Sequence, residues 1–271
     1  MEEQRKIFLV TSCKGGVGKS TVAVNLAMAM AICGRRVLIA DCDTTNRTVD
    51  LLLGYEDAGM FDLRDVSEGR VAPSDAVLRD PRTENLFYCS LPHTGTQPSV
   101  EKIATALTLC ADTVSAEYLI IDTSGGIDFP RALYEYMAYG AIIVSTHTTA
   151  SLRAAERTGS ELARAGVRDI RLIINCFDIK TAMYDEGRAI LDIIDSTHVP
   201  LLGVVLYDEE LRIAQEKGMP AACVEKSASP EAFYNIARRI FGESVPLFDG
   251  MEIKHRRRLV SPADGEDAEY T

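Results

Sequence analysis

The 271-residue chain contains no run of about 18 consecutive apolar residues, so no segment of it reads as a membrane span. Its seven cysteines, Cys13, Cys33, Cys42, Cys89, Cys110, Cys176 and Cys223, include no C-x-x-C pair, and their number is odd. With no cleavable leader visible, they read as reduced thiols in a cytoplasmic protein. Basic residues are in the minority, 29 Lys and Arg against 40 Asp and Glu, for a net charge of −11. Nucleic-acid partners need a basic face to displace counterions, so this balance makes such a partner unlikely beyond a local patch. No internal repeat and no low-complexity linker interrupts the chain before its end.

What is present is an ordinary globular composition, 46% hydrophobic and 25% charged, on a chain long enough to bury a core without disulfides or a structural metal. Short β-rich runs, RKIFLVTS, RVLIADCD, ENLFYCSLP, EYLIIDTS, AIIVSTHT, RLIINCFD and LLGVVLYD, alternate with helical stretches such as STVAVNLAMAMAIC, SLRAAERTGSELARAG, DEGRAILDIIDST and SPEAFYNIARRIFG. This alternation predicts one α/β domain over residues 1–243, with a mostly parallel central sheet of about seven or eight strands and helices on both faces. Ligands in such sheets sit at the carboxyl ends of the strands. Residues 244–271 change character: a basic cluster, KHRRR from Lys254 to Arg258, is followed by the acidic SPADGEDAEYT. That composition predicts a mobile tail.

The most informative stretch is SCKGGVGKST, residues 12–21, between the first strand and the first helix. Gly15, Gly16 and Gly18 let the main chain approach a phosphate, with the amides of Val17 and its neighbours turned toward the oxygens and a helix N-terminus behind them. Lys19 is placed to reach β and γ phosphates, Ser20 to coordinate Mg²⁺, and Thr21 to complete the cradle. A glycine-rich surface turn with two solvated lysines is the competing reading. The pattern K-G-G-x-G-K-[ST] arises by chance in a chain of this length on the order of once in twenty thousand, which favours the P-loop NTPase. The usual motif opens with Gly, but residue 13 is Cys, either a small loop residue or a thiol whose oxidation would affect the loop.

Acidic residues supply the rest. In RVLIADCDTTNRTVD a strand ends in Asp41-Cys42-Asp43, and alternation points the two carboxylates the same way, toward water and Mg²⁺. Aspartate at a strand end is equally a turn former. Asp122 closes the apolar strand YLIIDT, as a carboxylate supporting Mg²⁺ or as a turn cap. Asn175 ends RLIINCFD with an amide able to donate and accept, or to form a turn.

With its loop written K-G-G-V-G-K-S, the chain resembles the MinD/ParA family of deviant phosphate-loop ATPases, which do not require glycine before the first lysine. The likeness spans roughly residues 4 to 242. LLLGYE, RTENLFYCSLP and LRIAQEKGMP place it nearer the MinD branch than chromosome-partition ParA, and the lack of C-x-x-C separates it from relatives that carry an iron–sulfur cluster. The resemblance implies Mg-ATP as ligand and an ATP-sandwich homodimer in which Lys14 reaches the partner subunit's phosphates. It implies Asp43 orienting the attacking water, Asp41 as a supporting group, Asp122 holding Mg²⁺ through water, and Asn175 touching adenine. Two departures stand out. Ser124 replaces a proline after Asp122, read as a change in stiffness with Gly125 and Gly126 keeping the loop mobile, and Leu206 replaces a proline near the base.

The function implied is a dimerisation-dependent ATPase switch, with a regulatory protein partner, that controls spatial positioning, above all of the division site. A cargo-positioning or assembly ATPase independent of membranes, and a metabolic phosphoryl-transfer enzyme on the same scaffold, remain alternatives. Reversible peripheral membrane association would need an amphipathic C-terminal helix, but Met251, Ile253, Leu259 and Val260 do not gather on one helical face, and anionic lipid would repel the acidic end.

Overall fold

Lys6–Thr11 forms β1, with Phe8, Leu9 and Val10 almost fully buried. A computed structural model of the chain describes residues 5–55, 61–92, 94–178, 197–224 and 227–245. Around β1 are β2 (Val37–Cys42), β3 (Leu78–Arg79), β4 (Leu86–Ser90), β5 (Tyr118–Thr123), β6 (Gly140–Ser145), β7 (Ile170–Phe177) and β8 (Leu201–Leu206). They form an eight-stranded sheet in the order β3-β4-β2-β5-β1-β6-β7-β8. All pairings are parallel except that of the two-residue edge strand β3 with β4. The expected architecture is therefore the observed one, and β2, β5 and β1 are buried along most or all of their length because helices cover both faces.

Among the described residues the helices are α1 (Lys19–Ile32), α2 (Val49–Leu53), α3 (Leu63–Ser67), α4 (Val100–Thr113), α5 (Asp128–Tyr134), α6 (Thr149–Arg164), α7 (Glu209–Gln215) and α8 (Ser229–Ile240). One core layer joins α1 and α8 to the sheet, and the other packs α3, α4, α5 and α6 against its opposite face. Helix α1 is buried along nearly all its surface, as its apolar run predicts, and this fixes the phosphate loop from behind. Because β1 lies between β5 and β6, the loops after β1, β2, β5 and β6 converge at the carboxyl edge of the sheet. Residues 246–271, with the basic cluster Lys254 to Arg258, and residues 185–196 of the expected helix DEGRAILDIIDST lie outside the described residues.

Candidate functional site

The loop between β1 and α1 winds round a cavity of about 330 Å³ lined by Lys14 to Thr21 together with Ser12, Asp43, Asn46, Thr48, Leu52 and Gly125. Gly18 is the N-cap of α1, in the left-handed region at φ 81°, and no side chain caps the helix. The first amides of α1 are therefore left to a ligand. At Gly15 and Gly16 an added Cβ would meet nothing within 4 Å, so the loop's face is open to an anion. The Val17 side chain is buried at 2% exposure and pins the loop to the core, leaving its backbone as the part available to phosphate.

Lys19 leaves the first turn of α1 and donates to Asp122 Oδ1 at 2.7 Å, with Asp43 Oδ2 at 3.5 Å. Ser20 Oγ donates to the other oxygen of Asp122 at 2.6 Å. Burial pushes the Asp122 carboxyl above its ordinary range and outweighs the Lys19 ammonium and the Ser20 hydroxyl that favour its charge. Asp43 lies one residue beyond β2. Its Oδ1 accepts the amides of Thr45 and Asn46, fixing the following turn, while Oδ2 faces Lys19.

Asp41 and Asp43, expected to point the same way, go to different partners. Asp41 accepts from the amides of Asp43, Thr48 and Val49 and so ties the Asp43 turn to the start of α2. Burial and the neighbouring Asp122 push it up to about 7 against the pull of those amides. It lies behind the residues that line the cavity, in register with Asp122 on β5. In the Ser124 loop the Gly126 amide donates to Ser12 O at 3.1 Å, and Thr11 Oγ1 donates to Gly126 O at 3.2 Å.

Lys14 is exposed at the lip of the cavity. Its Nζ lies 3.5 Å from Thr148 Oγ1, and among the described residues no carboxylate pairs with it. Asn175 is buried at 4% exposure and donates from Nδ2 to Val17 O at 2.9 Å. Two contributors were not anticipated. Thr148 reaches Lys14 only because β6 lies beside β1, which no local pattern reveals. Asn25 donates to Thr21 O and accepts the Ala221 amide, and a lone amide four residues after Thr21 in an otherwise apolar helix was a readable signal.

A second cavity of about 690 Å³ adjoins the first and shares Thr21, Thr48 and Leu52 with it; α2 and α7 form its walls. Arg82 ties those walls together by donating to Leu53 O at 2.9 Å and Gly218 O at 3.2 Å while forking onto buried Asp80. At Gly218 a Cβ would lie 2.4 Å from Gly54 Cα, so only glycine permits this approach.

The donor set fits Mg²⁺ and a polyphosphate. Two buried carboxylates, Asp43 and Asp122, meet the single buried ammonium of Lys19, with the carboxyl of Asp41 close behind them, so the site holds more acid than base and favours a cation. Ser20 and Asp122 offer oxygen only, and among the described residues no three His, Cys, Asp or Glu side chains form a cage. Mg²⁺ typically takes one or two carboxylates and completes its shell with phosphates and water.

A glycine-rich loop opening a helix, with its lysine and an acidic strand end at the carboxyl edge of a parallel sheet, defines a P-loop NTPase. Residues 3–241 match the family model described as "ParA: NUBPL iron-transfer P-loop NTPase". The septum site-determining protein MinD of Bacillus subtilis is 35% identical over 246 residues, covering 89% of this chain and 90% of that one. The MinC:MinD cell division protein complex of Aquifex aeolicus superposes with a TM-score of 0.80 at 28% identity, covering 90% of this chain and 98% of that one. MinD complexed with Mg-ADP from Pyrococcus horikoshii gives 0.71 at 25%, covering 88% and 96%. The chain belongs to the MinD/ParA family of P-loop ATPases.

Proposed function

We propose that this chain is an ATP-driven switch: Mg-ATP closes two copies face to face, the closed pair engages a partner protein, and hydrolysis reopens it. The observation that carries this reading is Lys14, exposed at the lip of the phosphate cavity with no carboxylate partner among the described residues. Placed over a partner subunit's phosphates, its ammonium meets charge that develops on the transferring group, a class of contact that contributes roughly 10³ to 10⁵ in rate.

In this reading the loop amides from Gly15 to Thr21 and the start of α1 hold the triphosphate. Lys19, now bridging Asp122 and Asp43, turns to the phosphates. That frees Asp43 Oδ2 to orient water, while the Asp43 turn keeps its shape through Thr45, Asn46 and Asp41. Ser20 and Asp122 would hold Mg²⁺, which supplies neutralisation of phosphate charge when bound. Asp41 takes a supporting role, shaping the turn behind the Mg²⁺ site. MinD relatives are named for determining the septum site, and one is seen in complex with MinC. Division-site positioning through a MinC-like protein partner is accordingly the output we propose. Among the described residues no helix is long and apolar enough to cross a membrane, and any membrane contact in this scheme is peripheral.

The test is ATPase activity per subunit against protein concentration. A rise through the dimerisation range supports the switch. A flat profile, unchanged by partner, would place the chain with fixed-dimer metabolic enzymes.

A further inference from the structure

Helix α2 follows the Asp43 turn and is five residues long, too short to hold its shape without outside support. Both of its ends are held by side chains from elsewhere. At the start its N-cap, Thr48, makes no side-chain cap, and Asp41 Oδ2 accepts the amides of Thr48 and Val49 instead. The other oxygen of Asp41 accepts the Asp43 amide. At the finish Arg82 Nη2 donates to the last carbonyl of the helix, Leu53 O, at 2.9 Å.

The same guanidinium reaches a second element. Nη1 donates to Gly218 O at 3.2 Å, just past α7, while Nε and Nη2 fork onto Asp80 Oδ2 at 3.2 and 2.6 Å. Asp80 is buried and also accepts the Tyr55 hydroxyl, so the fork has a fixed base. Beyond Gly218 the chain is tied to α1, because the Ala221 amide donates to Asn25 Oδ1 and Asn25 Nδ2 donates to Thr21 O. A series of hydrogen bonds therefore joins the first turn of α1 to the Asp43 turn by way of α7, Arg82 and α2.

We propose that Arg82 is a positioning residue for hydrolysis: by bracing the far end of α2 against α7, it fixes the turn that presents the Asp43 carboxylate. It acts through α2 and Asp41, and the proposal rests on the role given to Asp43 above.

Arg82→Lys and Arg82→Met in the full chain test it. Lysine keeps a countercharge for Asp80 but offers one ammonium where the fork reaches two carbonyls from separate nitrogens, so the fold should hold while the brace slackens. With saturating Mg-ATP, turnover should fall about 10-fold in the lysine variant and about 100-fold in the methionine variant, the scale of a misplaced catalytic group. ATP affinity by calorimetry should stay within about twofold of wild type, and light scattering should still show a dimer with a non-hydrolysable ATP analogue. Amide exchange over residues 43–49 should quicken, while β1 and α1 stay protected. The lysine variant carries the comparison should the methionine variant fail to fold. Unchanged turnover in the lysine variant, a loss matched by weaker ATP binding or by failure to dimerise, or exchange no faster over residues 43–49 than elsewhere would overturn the proposal. A wild-type chain that hydrolyses no ATP would instead sink the nucleotide reading.

Discussion

Mixing two inactive variants gives the sharpest test of Lys14. Lys14→Ala removes an exposed ammonium whose Nζ lies 3.5 Å from one threonine hydroxyl, so stability should stay within about 0.5 kcal/mol of wild type. ATP binding by the single subunit should also hold, since Lys19 and the loop amides are untouched. Turnover should fall roughly 10³-fold, equivalent to about 4 kcal/mol of transition-state stabilisation. Asp43→Ala removes the carboxylate 3.5 Å from Lys19 but leaves Asp122 at 2.7 Å, so the ammonium remains paired. Its cost is the acceptor for the Thr45 and Asn46 amides, about 1–2 kcal/mol. In a mixed dimer, the subunit carrying Lys14→Ala keeps its own Asp43 and receives an intact Lys14 from the other. One reaction centre of two is thereby restored. At equal concentrations half the dimers are mixed, so activity should recover to about a quarter of wild type. A steady-state phosphate-release assay reads this directly, and a mixture no more active than its parents would refute action between subunits.

Asp122→Asn should leave the nucleotide-free fold near wild-type stability, because burial already disfavours the charge, yet weaken Mg²⁺ affinity roughly 10–100-fold. Thermal shifts with ATP at varied Mg²⁺ check it, and an unchanged Mg²⁺ dependence would remove Asp122 from the metal site. Arg82→Met leaves the buried Asp80 carboxylate with the Tyr55 hydroxyl and the main-chain amide of residue 82 but no countercharge, and should cost about 3 kcal/mol by denaturant unfolding. In the wild type Arg82 and Tyr55 hold Asp80 below its ordinary range, so that stability is present above the ordinary carboxylate pKa and lost as pH falls through the depressed value. Without Arg82 the Asp80 pKa rises. The gap between variant and wild type should then narrow as pH falls through the raised Asp80 pKa of the variant, and a gap independent of pH would contradict the pairing.

Sheet and loop were legible because both are local. Alternating runs such as YLIIDT mark buried parallel strands, and K-G-G-V-G-K-S can hardly be anything but a phosphate cradle once a strand precedes it. The division of labour between Asp41 and Asp43 was not legible, because alternation applies only within a strand; β2 ends at Cys42, and the turn after it decides that Asp41 takes backbone amides while Asp43 faces Lys19. The hydrogen bonds that tie Gly126 were hidden because their partners, Thr11 and Ser12, come more than a hundred residues earlier. Arg82 shows the same limit: nothing near it in the chain says that its guanidinium joins the ends of α2 and α7.

The central claim, that ATP closes two copies around shared phosphates, is tested most directly by the molar mass of Asp43→Ala from light scattering. With Mg-ATP it should read twice the 29.7 kDa of one chain, and with Mg-ADP the mass of one. A variant that binds ATP to saturation at high concentration yet keeps the mass of a single chain would contradict the account.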